Sequence, residues 1–532
     1  MFFLVITYTC PLYIILDFSG IHFFDFFFLG IFMDYYSFLY LFILFIIVSS
    51  IHLFINIYMG LDENLKRFFF ILNAFVVSMS ILIVSPNLIS LMLGWDGLGF
   101  SSFLLIAWFA SFNSLFSSLK TFLVNRLGDG LFLVSLYYFF IQGHFFLNSI
   151  DFVFSSILFI VLMAFFTKSA HFPFSSWLPD AMAAPTPVSA LVHSSTLVTA
   201  GLYLLFRFSY LLTWEIINLV QFLGLWTLFL GSLAACLDYN SKKIVAYSTV
   251  SQLGFISFVL SLGCYELSFY YMMAHALIKA LLFISVGCFL VLKAHNQDVR
   301  HLNNCWNLNP VVLFNLFFSC FSLSGFPFFS GYFVKEVVIG GAFFFQFNFF
   351  LLLIFSVSLI FTVIYTFRLV NLLGVDYSTN YGVISYLSIT NNFVFIILYI
   401  GISGLGIVLY NNFVCWMNFG SALSVLLYSV LGLLISNFIL NINYLVSLKT
   451  FIVYVLNMFF LNILTISFNK VYIVGGYLSH VVDSGFFLFS FINTLNVTFK
   501  NTFNTIFSNS YFLNWLSLIG FSVIFIGMMI IF

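Results

Sequence analysis

The sequence predicts an all-α, polytopic membrane protein of about 14–15 transmembrane helices, and three observations carry that prediction. Hydrophobic residues make up 63% of the chain and charged residues 6%, against roughly 45–50% and 25% in soluble domains; the mean hydropathy is +1.17. Runs such as Tyr35 to Tyr58, Phe69 to Val84, Ile217 to Cys236, Phe350 to Phe367 and Tyr511 to Phe532 approach the roughly 20 residues that cross a hydrocarbon core as helix. They are continuously apolar, whereas a spanning strand would alternate apolar and polar residues. Finally, two Pro- and Gly-rich interruptions fall between apolar runs, the pattern of discontinuous helices in transporter-like structural repeats.

The N-terminal stretch MFFLVITYTCPLYIILDF lacks a basic n-region, a small-residue cleavage site and Arg-rich amphipathic character, so it reads as a structural helix. The first interruption, HFPFSSWLPDAMAAPTP, holds Pro173, Pro179, Pro185 and Pro187, half of the chain's eight prolines. It lies between Phe152–Phe166 and Val188–Phe206. Proline removes a backbone donor, so the cluster means interrupted helices or a re-entrant connection. The second, SLSGFPFFSGYFVKE, places Gly325, Pro327 and Gly331 where a helix would otherwise run on. Each break carries a lysine, Lys168 and Lys335. Residues Asp483 to Asn509 mix Phe with Asn, Thr, Ser and Lys, a composition that can lie along a membrane protein's flank. No charged or Gly/Ser/Pro linker divides the chain, so one membrane domain is expected.

The 16 basic and 16 acidic residues cancel, leaving no basic surface for nucleic acid and no polybasic lipid-binding run. Seven scattered cysteines (Cys10, Cys236, Cys264, Cys288, Cys305, Cys320, Cys415) form no C-x-x-C pair and no metal-ligand spacing, so no iron–sulfur or zinc site is expected. Phe occurs 81 times, often where Leu would serve equally in lipid. That bias fits a thymine-rich genome such as an organelle's.

An ionisable group at the centre of a bilayer helix costs roughly 2.5–3.5 kcal/mol on insertion scales, so each needs a partner or a purpose. The candidates are Asp96 in GWDGLGF, Arg126 and Asp129 in NRLGD, Lys168 and His171 in TKSAHF, His193 in LVHSST, His275 and Lys279 in MAHALIKA, and Lys335 with Glu336. Lysine suits a proton relay because burial draws its proton affinity toward the neutral range, while arginine stays charged. A Lys168 that alternately meets and leaves Asp96 would take up and release a proton. His275 and Lys279, four apart, share one helix face, and histidine can pass protons between lysines. His193 could do the same, with Ser194, Ser195, Thr196 and Tyr247 anchoring bridging waters.

Blander readings stand beside these. A lone histidine in an apolar helix is commonly a satisfied structural residue. Arg126 and Asp129, three apart, read better as an internal ion pair than as carriers. Lys242 and Lys243 start an apolar run and read as boundary residues, with Lys243 the one that could turn inward. Lys120, Lys293, Arg300 and Glu266 read as interfacial.

The strings LGWDGLGFSSFLLIAWF, FLVNRLGDGLF, TKSAHFPFSSWLPDAMAAPTPVSALVHSSTLVTAGLYLLFR, LDYNSKKIVAYSTVSQLGF, MMAHALIKALLF and SGFPFFSGYFVKE closely resemble the antiporter-like membrane subunits of mitochondrial NADH:ubiquinone oxidoreductase, the subunit 5 family in particular. The resemblance implies inverted repeats with discontinuous helices and a C-terminal lateral amphipathic helix. It puts Lys168, His193, Lys279 and Lys335 on the family's proton path and Asp96 on its membrane glutamate. Arg126, Asp129, His171, Lys243, His275 and Glu336 are supporting candidates.

The resemblance further implies a mitochondrial inner-membrane, organelle-encoded subunit. It would bind no cofactor itself, with FMN, iron–sulfur clusters and ubiquinone in other subunits. Its partners would be other membrane-arm subunits, above all the neighbouring antiporter-like one, and lipids such as cardiolipin. Three departures stand out: Asp96 replaces a glutamate, Tyr271 replaces a second histidine, and the chain starts about one helix of roughly 20 residues late.

The expected layout is N-terminal helices over 1–66, repeats over 67–215 and 216–375, further helices over 376–480, a lateral helix over 481–510 and an anchor helix over 511–532. Two rivals are the large subunit of a multisubunit cation/proton antiporter and a scaffold that has lost transport. The C-terminal layout and Phe-rich composition weigh against the first, and the buried lysines against the second.

Overall fold

The computed structural model describes residues 12–16, 29–60, 62–141, 155–293, 295–302, 309–327, 329–344, 349–374, 389–413, 425, 427–434 and 436, all within the first of two compact units, Met1–Leu461. The expected lateral helix (481–510) and terminal anchor (511–532) lie outside the described residues, as do Cys10, Cys305 and Cys415.

Strand β1 (Leu12–Leu16) pairs antiparallel with β2 (Leu29–Met33), a correction to the helix expected at the N-terminus. The physical reason is legible afterwards. Pro11 and Asp17 bound an apolar run of only five residues, rich in β-branched Ile and aromatic Tyr, which is too short to span as helix and suited to a strand.

Thirteen helices of 14 or more residues follow among the described residues: α1 (Tyr35–Tyr58), α2 (Leu65–Val84), α3 (Leu88–Ile106), α4 (Phe112–Ile141), α5 (Ser155–Lys168), α6 (Thr186–Arg207), α7 (Trp214–Leu237), α8 (Ser241–Ser261), α9 (Tyr265–Leu292), α10 (Pro310–Ser324), α11 (Ser330–Phe344), α12 (Phe349–Gly374) and α13 (Ile389–Phe413). Eight of the described helices are long and apolar enough to cross a membrane. The expected boundaries at 66 and 216 fall just inside α2 and α7.

Both predicted breaks are present. After α5 the chain runs through short turns at Trp177–Asp180 and Ala181–Ala183 before α6 restarts with Pro187 in its first turn, where proline's missing N–H costs nothing. The second break divides α10 from α11 at Gly325, whose left-handed φ of 82° suits glycine best. A Cβ there would come within 2.8 Å of Lys335 Cδ.

The most deeply buried of the described helices are α6, α8 and α9. Every residue of α8 except Lys243 is buried, as are the residues of α9 from Leu267 to Leu290, the mark of helices wrapped by protein on all sides. Helices α7 and α8 approach unusually closely. A Cβ on Gly254 would lie 2.6 Å from the Leu228 nitrogen, and one on Gly231 would lie 2.8 Å from the Ser251 nitrogen. Small residues permit such backbone contact between membrane helices.

Candidate functional site

The first cluster forms where α5 stops. A lysine in the last turn complements the carbonyl end of its helix, and Lys168, fully buried, reaches across to α3. Its Nζ donates to the Trp95 carbonyl oxygen and lies 3.8 Å from the Trp95 ring centroid. Trp95 Nε1 in turn donates to Asp129 Oδ1 at 2.7 Å. Arg126 Nη1 donates to Asp129 Oδ2 at 3.1 Å and sits 3.5 Å from Asp96 Oδ1.

The expected direct meeting of Asp96 with Lys168 is therefore replaced by an Asp96–Arg126 contact. Successive residues on a helix point about 100° apart. With Trp95 facing Lys168, Asp96 turns toward the outer face, where its side chain and that of Arg126 are 44% and 41% exposed. Both carboxylates still act on the Lys168 ammonium through space. The Arg126–Asp129 ion pair is as anticipated.

Around the proline-rich bend, His171 stacks on Phe166 and joins Ser169 Oγ at 2.7 Å and Ser257 Oγ of α8 at 2.8 Å, a structural tie between the break and α8. Lys120 ion-pairs with Asp180 at 2.5 Å. Lys242, rather than Lys243, turns inward. It is buried, and its Nζ donates to the Ala184 carbonyl at 3.1 Å, while Lys243 stays half-buried. One residue's rotation again decides, since Lys242 faces the carbonyls freed by the proline break.

His193 sits inside a π-helical segment of α6, Ser189–Thr196, a local widening that frequently marks functional sites. The ring is fully buried against Trp177, 6.2 Å between centroids, and neither nitrogen has a protein partner. Ser194, Ser195 and Thr196 donate to backbone carbonyls of the same segment. The π segment packs against α9.

On α9, His275 and Lys279 share a face and are fully buried; Lys279 Nζ donates to Ser248 Oγ of α8 at 2.6 Å. Lys335, on α11, donates to the Leu323 and Ser324 carbonyls at 2.7 and 3.0 Å and to Thr362 Oγ1 at 3.4 Å. It caps the orphan carbonyls at the end of α10. Glu336, also buried, engages Tyr332 one turn back.

Sequence reasoning missed Trp95, the bidentate Arg207–Asp34 pair (2.5 and 2.7 Å) and the tyrosines that flank α8. The Asp34 signal was available: it opens α1 and accepts from the Ser37 N–H at 3.1 Å in a capping box. Among the described residues, no group of three or more His, Cys, Asp or Glu is placed to hold a metal ion.

Residues 85–362 match the family described as NADH:quinone oxidoreductase/Mrp antiporter, transmembrane. The chain is 39% identical over 353 residues to NADH-ubiquinone oxidoreductase chain 5 of Locusta migratoria, covering 63% of this chain and 60% of that protein. It is 40% identical to the protein of the same name from Caenorhabditis elegans, covering 66% and 67%. Against the insect protein the match spans about three fifths of the relative's length.

Among solved structures, the Mrp complex from Dietzia shares the fold with a TM-score of 0.74 at 22% identity, over 89% of this chain and 55% of that one. An archaeal respiratory membrane complex, the membrane-bound sulfane sulfur reductase, does so with a TM-score of 0.66 at 19% identity, over 76% and 85%. With the matched pattern running through Lys168, His193 and Lys279 and across more than half of its length, this chain belongs to the NADH:quinone oxidoreductase/Mrp antiporter transmembrane family.

Proposed function

We propose that the chain is a proton-translocating membrane-arm subunit of respiratory NADH:ubiquinone oxidoreductase. One observation carries the reading: Lys168, Lys279 and Lys335 are all buried among packed helices, and each ammonium donates to neutral oxygens. A buried lysine held this way can lose and regain its proton at modest cost, which an arginine cannot. Lys168, His193, Lys279 and Lys335 act as carriers. Asp96 and Asp129, shared through Arg126, set the field at Lys168, with His171, His275 and Glu336 in support.

Moving one charge against 100 mV costs about 2.3 kcal/mol, equal to a roughly fiftyfold change in proton affinity. Redox chemistry, with FMN, iron–sulfur clusters and ubiquinone, belongs to other subunits of the complex. The repeats run over 67–215 and 216–375, and the setting is the mitochondrial inner membrane with the gene in the organelle. The half-exposed Asp96–Arg126 pair, near the middle of α3 and α4, supports a neighbouring antiporter-like subunit on that face, since lipid alone would leave both charges poorly solvated.

Native complexes separated after mild solubilisation test the reading. The chain is expected in a large NADH-oxidising assembly with flavin and iron–sulfur subunits. Its presence in a redox-silent assembly of antiporter subunits would overturn the reading in favour of cation/proton exchange.

A further inference from the structure

Between Lys279 and Lys335 lies a buried polar row that the reading above leaves without a task. Tyr271, on the same face of α9 as His275 and Lys279, donates its hydroxyl to Gln252 Oε1 at 2.5 Å. Gln252 Nε2 donates to the Tyr365 hydroxyl oxygen of α12 at 3.3 Å. Gln252 stands one turn from Ser248, which receives Lys279, and Tyr365 stands three residues from Thr362, which receives Lys335. Tyr365 also interacts with Ser251, whose hydroxyl donates to the Ser248 carbonyl at 2.9 Å. Tyr271, Gln252, Ser251 and Thr362 are at most 2% exposed, as is Tyr365.

We propose that Tyr365 is a proton-relay residue joining the Lys279 site to the Lys335 site, with Gln252 as the residue that positions its hydroxyl. Gln252 donates to one lone pair of the Tyr365 oxygen, so the hydroxyl proton points away from Gln252. An incoming proton binds the remaining lone pair of Tyr365 Oη while the original hydroxyl proton leaves toward the Thr362 and Lys335 side. The O–H bond lost is matched by the O–H bond gained, so the phenol is neutral before and after, and rotation about C–O resets it. Tyr271 fixes the Gln252 amide by taking its carbonyl end. A tyrosine thus has a use at 271 where the family resemblance leads one to expect a histidine.

The inference rests on the proton-translocation reading, and the test separates the two. Tyr365→Phe, Tyr365→His and Lys335→Ala are made in the intact complex, and NADH-driven proton uptake by membrane vesicles is measured per electron transferred. Tyr365→Phe is expected to cut proton transfer about tenfold or more with unchanged assembly. Tyr365→His, which restores a group able to accept and donate, is expected to recover most of it.

Wild-type pumping by Tyr365→Phe, or equal loss in the Phe and His variants, overturns the relay. Wild-type pumping by Lys335→Ala overturns the underlying reading instead. If Tyr365→Phe does not assemble, Gln252→Met keeps the phenol and strips its donor. A several-fold fall in proton transfer then supports the relay, and no change overturns it.

Discussion

The two broken segments solve one problem, a lysine ammonium in the membrane interior, with different materials. At the first break Lys168 leans on a π face and a carbonyl of Trp95, and behind Trp95 stands a charged group of Asp129, Arg126 and Asp96. At the second, Lys335 rests on carbonyls at the end of α10 and on Thr362, while the adjacent Glu336 faces Tyr332. The first site can be retuned by shifting side-chain charges. The second is set by backbone geometry, and a helix end cannot be switched without moving the helix. On the proposed translocation reading, tuning by side-chain charge therefore belongs to the first break, while the carrier at the second is tuned by backbone geometry.

The largest expected effect makes the two sites equal. Arginine keeps the charge but does not release the proton, so Lys168→Arg and Lys335→Arg should each lower proton translocation by about a hundredfold, read as vesicle acidification at matched complex content. The next prediction separates the sites. Asp129→Asn removes the negative charge that pairs with Arg126 and leaves a single amide oxygen for the two donors Trp95 and Arg126; it should cut translocation about tenfold, whereas Glu336→Gln should change it less than about twofold. Equal effects in that pair would sink the contrast.

Gly325→Ala tests the backbone side. It strains a left-handed position and crowds Lys335, and should cost about 1–2 kcal/mol, seen as a lower melting temperature of the complex together with a several-fold loss of pumping. Last, Asp34→Ala removes a helix cap worth about 0.5–2 kcal/mol and the partner of Arg207. It should lower thermal stability while leaving the proton yield per electron unchanged, because this pair ties α1 to α6 away from both breaks.

The sequence foretold what one helix can tell about itself. The shared face of His275 and Lys279, the Arg126–Asp129 spacing and both interruptions follow from local periodicity and from Pro and Gly chemistry. What it hid lies between helices. That Trp95 rather than Asp96 meets Lys168, that Lys242 rather than Lys243 turns inward, and that Gln252 links Tyr271 to Tyr365 all depend on helix rotation. A 100° step per residue is invisible when nearly every neighbour is apolar and no amphipathic pattern fixes the phase. The N-terminal strand pair escaped because a short apolar run reads equally as helix or strand.

The half-exposed ion pair of Asp96 and Arg126 has a bearing on the life of the chain before it finds its neighbours. A solitary copy carries a polar blemish on its apolar perimeter, drawing water and lipid headgroups inward and thinning the bilayer around α3 and α4. The neighbouring subunit proposed for that face would cover that blemish. The same two side chains thus give an uncovered copy a surface chemically unlike that of a covered one.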